Sequence, residues 1–532
     1  MSYSRKIARA ARARIAAAER AYLPSLSLAA SRGRTGQDFN AATPDLDQRD
    51  RRVALQLNVP IFDGFSRHYQ TRAAKAEGFS SWSAISTFRQ CPLKYRFRYI
   101  DGLPEESVSS ALVFGTGIRT SALDAALVNG TAAHAQDFDD IGLGVHPAHP
   151  SAVMVPAILS LAEECGASGA EMLTAYVAGY EIWGECARRE PGQHLEIGWH
   201  ATGILGPLAA AAASANLLGL NAQQATMALS IAASQSAGLV ANFGSMTKPL
   251  HAGLAARAGV LAAKLAAVGF SAGETSLEQP RGLLDAISPH SEADLTGIST
   301  FGLPWNITQF PLGIKLYPVC YALHRIVDCA VELHPQVAGR FADIARIDIL
   351  VGTNQRKMLG FPRPINALEA KFSIEFGVAT GLLEGALRLD HLDTEFLSQG
   401  RITELMEKVV ITEDPVPDPI YRTFSRQDVV QVTLADGATF SHQSAYAKGH
   451  PTRPLSRTDL LAKFLACTGQ ALSADDGIAL FEKLLRLRTL PDANFMTHLT
   501  ASLSSSHSGA SGLKRHLSSN PEKYNEIQIF PS

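Results

Sequence analysis

Between residues 150 and 270 the sequence contains long stretches in which alanine and glycine recur at helical spacing. These stretches are residues 154–164, 169–188, 203–218, 222–238 and 251–268. Small side chains on the packing faces let helix axes approach closely, so the pattern predicts a body of tightly packed, largely buried helices. The most apolar run, 204–220, carries Pro207, Ser214 and Asn216, which favours a buried helix over a membrane span.

The helical pattern is interrupted between about residues 305 and 445. Short β-branched runs at 346–352, 408–412 and 428–434 predict strands, and Asp436-Gly437 is a hairpin signal that leads into 438–441. Helical periodicity then returns at 459–467 and 474–487, separated by a turn at Gly469. The chain is therefore predicted to be mainly α, with an α/β insert.

Composition excludes several classes of protein. The chain has 532 residues, enough for two or three domains, and its net charge of −2 gives no reason to expect a nucleic-acid partner. Its six cysteines are scattered without a CxxC pair, which argues against a zinc site or a disulfide framework and fits a reducing cytoplasm. The basic N-terminus lacks a continuous apolar stretch and a cleavage site, so no secretory signal is predicted. We expect a cytoplasmic protein without a membrane span.

Residues 130–151 form the segment richest in potential chemistry. Three carboxylates and three imidazoles occur among small residues and prolines: Asp137, Asp139, Asp140, His134, His146 and His149. General acid–base catalysis near neutral pH needs titratable groups paired in this way. The alternative interpretation is a solvated polar loop that includes a helix N-cap aspartate.

Three further residues are candidates for binding an anionic substrate. Lys248 opens a helix, where it would add to the helix dipole and bind a carboxylate; otherwise it is a surface lysine. Lys315 lies in an apolar segment, where a lysine either extends its ammonium group to water or pairs with an anion. His200 follows Gly198-Trp199 and is either an acid–base group or a packed core histidine.

Five motifs in order between about residues 121 and 500 resemble the MmgE/PrpD family. They are "AALVNGTAAHAQDFDD…HPAHPSAV", "GWHATGILGPLAAAAASANLLGL", "ANFGSMTKPLHAGLAARAGVLAA", "GIKLYPVCYALH" and "EAKFSIEFGVATGLLEGAL". That family includes 2-methylcitrate dehydratases, cis-aconitate decarboxylases and iminodisuccinate epimerases. The resemblance implies an all-α helical domain (121–304 and 446–500), a smaller α/β lid domain (305–445), and an active site in the cleft between them.

The N-terminal region departs from this family. The phrases "AAAERAYLPSLSLAASRG" and "VALQLNVPIFDGFSRHYQTRAAKAE" within residues 1–78 resemble a fragment of a TolC-like outer-membrane efflux protein. The fragment is too short for the barrel and tunnel of that family, so no transport function is expected. Residues 79–119 contain the run "SAISTFRQCPLKYRFRY" and Phe114-Gly115-Thr116-Gly117, and they are similar to the start of a RecB-like PD-(D/E)XK nuclease, without its metal site. This foreign extension stands where family members have further helices. The Ser-rich tail, 501–532, is predicted to be disordered.

The resemblance also implies roles for particular residues. Its catalytic positions match Asp137, His149, His200, Lys248 and Lys315, and substrate-binding positions are assigned to His251, Tyr317 and His324. The chain departs from the family at three points. Ile141 replaces a threonine, Cys320 replaces a histidine of the decarboxylases, and an active-site tyrosine has no counterpart near Met358. These departures count against cis-aconitate decarboxylase and leave the substrate open.

The sequence thus predicts a metal-independent lyase or isomerase of a small di- or tricarboxylate, similar to 2-methylcitrate dehydratase. It would abstract a proton α to a carboxylate and stabilise the resulting aci-carboxylate with lysines. No cofactor or metal, a homodimer and a small polycarboxylate substrate are expected. The alternative is that the composite chain is inactive, or acts only as a binding protein.

Overall fold

The computed structural model describes residues 25–35, 48–58 and 111–493, apart from 117, 144–147, 191–192, 289, 291, 298, 300, 420, 422–423 and 470. Residues 1–108 form one unit and 109–532 another. In the first unit, β1 (Ser25–Thr35) and β2 (Gln48–Asn58) form an antiparallel hairpin with Ser25 opposite Asn58. His146, most of the nuclease-like segment and the C-terminal tail, for which the sequence made predictions, lie outside the described residues.

Helices build most of the second unit. The longer ones before the α/β part are α1 (Ala122–Ala135), α2 (Pro150–Cys165), α3 (Gly169–Arg189), α4 (Ala201–Leu217), α5 (Ala222–Ala233) and α6 (Thr247–Ala267). Single-turn helices occupy Gln193–Glu196, Val240–Asn242, Leu283–Ala286 and Asn306–Gln309. The helix predicted for 222–238 ends early, at Ala233, and the chain then turns towards the site.

Small residues determine how closely these helices pack. The α1 and α6 axes approach so closely that a Cβ on Gly253 would lie 2.2 Å from the Leu127 carbonyl oxygen. The start of α3 is fixed by a capping box, in which the Ser168 hydroxyl and the Glu171 carboxylate each accept from the other's backbone N–H. The alanine-rich α4 is buried along almost its whole length, as its composition predicts.

A short hairpin precedes α1 and packs onto the helical domain. It consists of β3 (Ala111–Val113) and β4 (Ile118–Thr120). Ala111 is completely buried in a core cluster formed with α1, α2, α4 and α6, and the Leu112 backbone N–H donates to Glu163 Oε2 at 2.6 Å. The hydrophobic core of the helical part therefore includes Ala111, ten residues before residue 121.

The predicted α/β part has a four-stranded sheet. Its strands are β7 (Ile344–Gly352), β8 (Val409–Asp414), β9 (Asp428–Leu434) and β10 (Thr439–Ser444), in the order β10-β9-β7-β8. β7 and β8 are parallel, and the other pairs are antiparallel. The longer helices here are α7 (His324–Val337), α8 (Ile374–Glu384) and α9 (Gly400–Glu407). They share with the sheet a large core in which Phe376 is fully buried.

Shorter helices and a second small sheet complete this part. The shorter helices are Tyr321–Leu323, Phe341–Asp343, Thr353–Met358, Ala367–Ala370, Leu389–Leu392 and Thr394–Leu397. The small sheet pairs β5 (Asp140–Gly142) with β6 (Leu312–Ile314), antiparallel. Because β5 follows α1 and β6 leads into the α/β part, this pairing fixes the acidic loop of one domain against the first residues of the other.

The chain returns to helix after β10, as the sequence predicts. The last helices are α10 (Arg457–Thr468), α11 (Ala474–Leu484) and the turn Leu487–Thr489. The architecture is therefore a helical domain joined to an α/β part. Among the helices that the structure describes, none has both the length and the apolar character needed to cross a bilayer.

Candidate active site

The acidic loop begins with a backbone conformation that is rare for a side chain. α1 ends at Ala135, and Asp137 then adopts φ 50°, in the left-handed region that residues other than glycine seldom occupy. Such conformations persist only where surrounding contacts hold them, and they concentrate at functional sites. Here those contacts are the ion pairs of the Asp137 carboxylate.

Two lysines from distant elements bind Asp137. Lys248, in the first turn of α6, donates to Asp137 Oδ2 at 2.9 Å. Lys315, directly after β6, donates to Asp137 Oδ1 and to the Asp137 carbonyl oxygen at 3.1 Å. Burial alone would raise the pKa of the Asp137 carboxyl, but the two ammonium groups hold it well below its usual range. The carboxylate is therefore ionised, and it joins the helical domain to the α/β part.

The next carboxylate, Asp139, binds two histidines instead. His134 Nδ1 lies 3.1 Å from both Asp139 oxygens, and His149 Nδ1 lies 2.8 Å from Asp139 Oδ2. His149 Nδ1 is also 2.9 Å from the Asp140 carbonyl oxygen. Burial opposes ionisation of Asp139, but the two histidines hold the pKa of its carboxyl well below its usual range.

These contacts fix the tautomer of His149. Both partners of Nδ1, a carboxylate and a carbonyl oxygen, can only accept hydrogen bonds, so Nδ1 must carry the hydrogen. Burial lowers the pKa of the His149 imidazole despite the attraction of Asp139, which keeps the ring neutral at neutral pH. The lone pair of a neutral His149 is therefore on Nε2, as a general base requires.

The third carboxylate has a different environment again. Asp140 Oδ2 accepts a hydrogen bond from the Ser151 hydroxyl, which also lies 2.7 Å from the Tyr176 hydroxyl. Burial, followed by the charge of Asp139, raises the pKa of the Asp140 carboxyl to about 7. Three carboxylates within four residues thus do not share one pKa: those of Asp137 and Asp139 are lowered and that of Asp140 is raised, because their neighbours differ.

A cavity lies between the loop, the helical domain and the α/β part. Its lining residues are Ile141, His149, Leu195, His200, Ala201, Phe243, Lys248, Cys320, Tyr321, Ala322, Met358 and Phe424. His200 is the N-cap residue of α4, which directs it towards the cavity. The Lys248 ammonium group lies 5.3 Å from the Phe243 ring centroid and 5.1 Å from that of Phe372, so aromatic faces as well as Asp137 stabilise its charge.

Of the eight residues predicted for the site, His149, His200 and Lys248 line this cavity. Asp137 and Lys315 do not line the cavity. Lys315 is fully buried, and its ammonium group donates to the Asp137 carboxylate. The remaining three do not line the cavity: His251 contacts His200, the Tyr317 hydroxyl donates to Asp328 at 2.7 Å, and His324 packs between Tyr317 and Tyr321. Tyr317 therefore has a partner within the protein for its hydroxyl, and Tyr321 occupies the cavity wall.

Two further lysines near the loop, the buried Lys371 and the partly buried Lys463, were not predicted. Lys371 donates to the Ala135 carbonyl oxygen at 2.9 Å and to Gln136 Oε1 at 3.2 Å. Lys463, on α10, donates to the Lys315 carbonyl oxygen at 2.6 Å and lies 4.3 Å from the Phe138 ring centroid. Burial lowers the pKa of each ammonium group to about 8. Lys371 lies within the quoted "EAKFS" motif, but nothing in the sequence around Lys463 marks it.

The loop also brings together groups that could bind a metal, although the sequence predicted no cluster with metal-ligand spacing. Ligand atoms of His134, Asp137, Asp139 and His149 all lie within 4.8 Å of one another. Both Asp137 oxygens already accept from lysine ammonium groups, however, and Asp139 accepts from two imidazoles. A divalent cation bound here would have to displace the ammonium groups of Lys248 and Lys315 or lie against their positive charges, so the arrangement fits a metal poorly.

Comparison with known proteins identifies the family of this chain. The profile of the MmgE/PrpD N-terminal domain matches residues 85–296, and that of the MmgE/PrpD C-terminal domain matches 317–487. Cis-aconitate decarboxylase of Homo sapiens is 30% identical over 404 residues, which cover 74% of this chain and 82% of the relative. The chain belongs to the MmgE/PrpD family. This confirms the resemblance predicted from the five motifs.

Two further relatives and one further profile match this MmgE/PrpD chain. Cis-aconitate decarboxylase of Mus musculus is 30% identical over 387 residues, covering 70% of this chain and 78% of the relative. Cis-aconitate decarboxylase of Aspergillus terreus is 25% identical over 421 residues, which cover 74% of this chain and 84% of the relative. The outer membrane efflux protein profile matches residues 4–81, which agrees with the TolC-like resemblance. The MmgE/PrpD match begins at residue 85, so it includes most of the segment that the sequence likened to a nuclease.

Proposed function

We propose that this protein is a metal-independent lyase of a small di- or tricarboxylate, with His149 as the base that removes a proton α to a substrate carboxylate. The observation that carries this proposal is the set of partners around His149 Nδ1. Asp139 and the Asp140 carbonyl oxygen both accept from it, which leaves Nε2 as the basic atom of a residue that lines the cavity.

Removing a proton next to a carboxylate places a second negative charge on that group, and a cation must stabilise it. Lys248 is the ammonium group on the cavity wall, and its Asp137 contact and two aromatic neighbours fix its position. A charge held in place before the reaction needs no reorganisation when the aci-carboxylate forms. We assign Lys248 to this role, Asp137 and Lys315 to positioning Lys248, and Asp139 to orienting His149.

The charge balance around the loop favours an anionic substrate. Asp137 and Asp139 are ionised, whereas Lys248, Lys315, Lys371 and Lys463 provide four ammonium groups close to them. At pH 7 these four ammonium groups outnumber the charges of Asp137, Asp139 and the partly ionised Asp140, and an anionic substrate would offset the excess.

Dehydration is the reaction that we place first. After α-proton removal by His149, a β-hydroxyl group leaves with a proton from a second acid, and His200 on the cavity wall is the group that can supply it. This assignment corresponds to a substrate of the 2-methylcitrate type. Cis-aconitate decarboxylation is the second candidate, because the relatives described above carry that name. Against it, the cavity wall has Cys320 in place of the histidine of the decarboxylases, and Ile141 in place of a threonine of many family members.

An activity screen tests the proposal. The purified full-length chain is incubated with 2-methylcitrate, citrate and cis-aconitate, and product formation and CO₂ release are followed separately. We expect an alkene product from a hydroxy acid without CO₂ release. The variant His149→Gln, with unchanged circular dichroism, should lower kcat by about 10²- to 10⁴-fold, because it removes the base. Wild-type rates in that variant would contradict the assignment of His149.

Calorimetric titration with the same acids separates catalysis from binding alone. A folded chain that binds these acids without converting any of them would support the binding-only alternative for a composite protein. A cytoplasmic location and a homodimer remain predictions.

A further inference from the structure

Two histidines of the helical domain are in direct contact behind the cavity wall. His200, at the start of α4, and His251, in the second turn of α6, lie with their Nδ1 atoms 3.1 Å apart. Both side chains are buried, and the ring centroids are 5.3 Å apart. The distance is that of a hydrogen bond between the two imidazoles.

The two rings border different spaces. His200 lines the cavity described above, together with His149 and Lys248. His251 is not part of that wall and instead lines an open groove on the other side, whose polar lining includes Gln235, Asn242 and Arg257. The pair therefore connects the reaction cavity to a surface that solvent reaches.

A contact between two Nδ1 atoms constrains where the hydrogens are. Burial, followed by the charge of Lys248, lowers the pKa of both imidazoles, well below its usual value for His200, so both rings are neutral at neutral pH. Of two neutral rings in this contact, one must donate an Nδ1 hydrogen and the other must accept it. The pair thus has two arrangements, which differ by the position of one hydrogen along the line from cavity to groove.

We propose that His251 transfers protons between the outer groove and His200, so that His200 can exchange its proton while substrate fills the cavity. This inference rests on the proposed function, in which His200 is the acid. When the hydroxyl group leaves, His200 Nε2 gives it a proton and it departs as water, His200 Nδ1 receives the hydrogen from His251 Nδ1, and His251 Nε2 takes a proton from a groove water, which becomes hydroxide. After the product leaves, the proton that His149 took from the substrate passes through cavity water to His200 Nε2, the shared hydrogen returns to His251 Nδ1, and His251 Nε2 gives its proton to the hydroxide. The net change is the loss of one water from the substrate, and no other reactant is needed.

The backbone at Gly238 leaves space for the contact between His200 and His251. The His200 backbone N–H donates to the Gly238 carbonyl oxygen at 3.0 Å, and Gly238 has φ 136°, in the region that favours glycine. A Cβ at Gly238 would lie 3.1 Å from Cγ and Nδ1 of His251, closer than ordinary packing allows. Glycine at this position leaves room for the His251 ring against His200.

The first test is chemical rescue of a variant. His251→Ala should lower kcat by about 10- to 100-fold, with KM little changed, because His251 contacts His200 and not the cavity. Added imidazole can enter the open groove and replace the missing ring, so it should restore much of the lost rate. His442→Ala, on β10 and outside the site, is the control for general effects of imidazole. A slow variant that imidazole does not accelerate, or a variant with the wild-type rate, would overturn the relay.

The second test does not depend on activity. In the resting protein labelled with ¹⁵N-histidine, NMR should show one of the two rings with hydrogen on Nδ1, and coupling between the two Nδ1 nuclei. Both signals should disappear in His251→Ala. If these signals are present but no carboxylate is converted, the proposed function fails while the shared hydrogen stands. If both rings carry hydrogen only on Nε2, the relay is excluded whatever the activity.

Discussion

Replacing Lys315 by methionine should destabilise the protein far more than the loss of an ordinary lysine would. Methionine keeps the apolar stem of the side chain but removes the ammonium group. Lys315 is fully buried, and it donates to both the carboxylate and the carbonyl oxygen of Asp137. The change therefore removes one of the two charges that compensate a buried carboxylate.

The size of the expected loss of stability depends on the contacts that Asp137 keeps. Breaking a buried ion pair by removing one partner costs about 3 to 5 kcal/mol, because the other charge stays in the interior. Asp137 keeps its contact with Lys248 at 2.9 Å, so we expect the lower end, about 3 kcal/mol. In the double variant Lys315→Met/Asp137→Asn the carboxylate is gone as well, so its loss of stability should be smaller than the sum of the two single losses.

The measurement is urea-induced unfolding followed by circular dichroism, with Lys264→Met as a matched control. Lys264 forms a partly exposed ion pair with Glu164, so its loss should cost less than about 1 kcal/mol. Because the folded-state pKa of Asp137 is depressed, its contribution is present above the unfolded-state pKa and is lost as the pH falls through the folded-state value. The difference between wild type and Lys315→Met should therefore shrink in acid. Equal losses for Lys315→Met and Lys264→Met at pH 7 would refute this reasoning.

Three further predictions concern the same loop. Lys248→Ala should raise KM and lower kcat together, because this cation acts on both bound substrate and transition state; unchanged kinetics in a folded variant would remove it from the site. Asp140→Asn should stabilise the protein at pH 8. The folded-state pKa of Asp140 is raised to about 7, so ionisation of this carboxyl destabilises the fold as the pH rises from the unfolded-state pKa through 7. Unfolding curves at pH 4 and pH 8 check this, because the gain in stability should vanish in acid. Prolonged chelation should leave turnover intact, since lysines occupy the Asp137 oxygens; activity restored by zinc, iron or magnesium would contradict a metal-free mechanism.

The architecture was largely predictable because periodicity reports it directly. Alanine and glycine at helical spacing predicted the helices α2 to α6, and β-branched runs predicted the sheet, with β9 at the observed bounds. The end of α5 was missed by five residues, since Ala237 and Gly238 continue the small-residue pattern although the chain has already turned. The hairpin β3–β4 was missed because two strands of three residues are too short to show a pattern.

The site was predictable only in part because contacts between distant residues leave no local trace. Lys463 approaches Phe138 from more than 300 residues away, and no spacing or composition marks it. The partner of Lys315 could not be inferred either: an apolar neighbourhood predicted an anion, and the anion that Lys315 contacts is the protein's own Asp137. Likewise His251 was placed against the substrate, whereas its ring contacts His200.

The three aspartates of the loop have different roles because each contacts different partners. The left-handed turn at Asp137 directs that carboxylate to two lysines, Asp139 then reaches two histidines, and Asp140, at the start of β5, reaches Ser151. One side chain type thus serves as a counter-ion that fixes a cation, as an acceptor that fixes a histidine tautomer, and as a carboxyl whose pKa is near neutrality. The different partners, and not the residue type, keep Asp137 and Asp139 ionised and raise the pKa of Asp140 to about 7. A change at any one position should therefore alter a different property: Asp137 the position of Lys248, Asp139 the basicity of His149, and Asp140 the dependence of stability on pH.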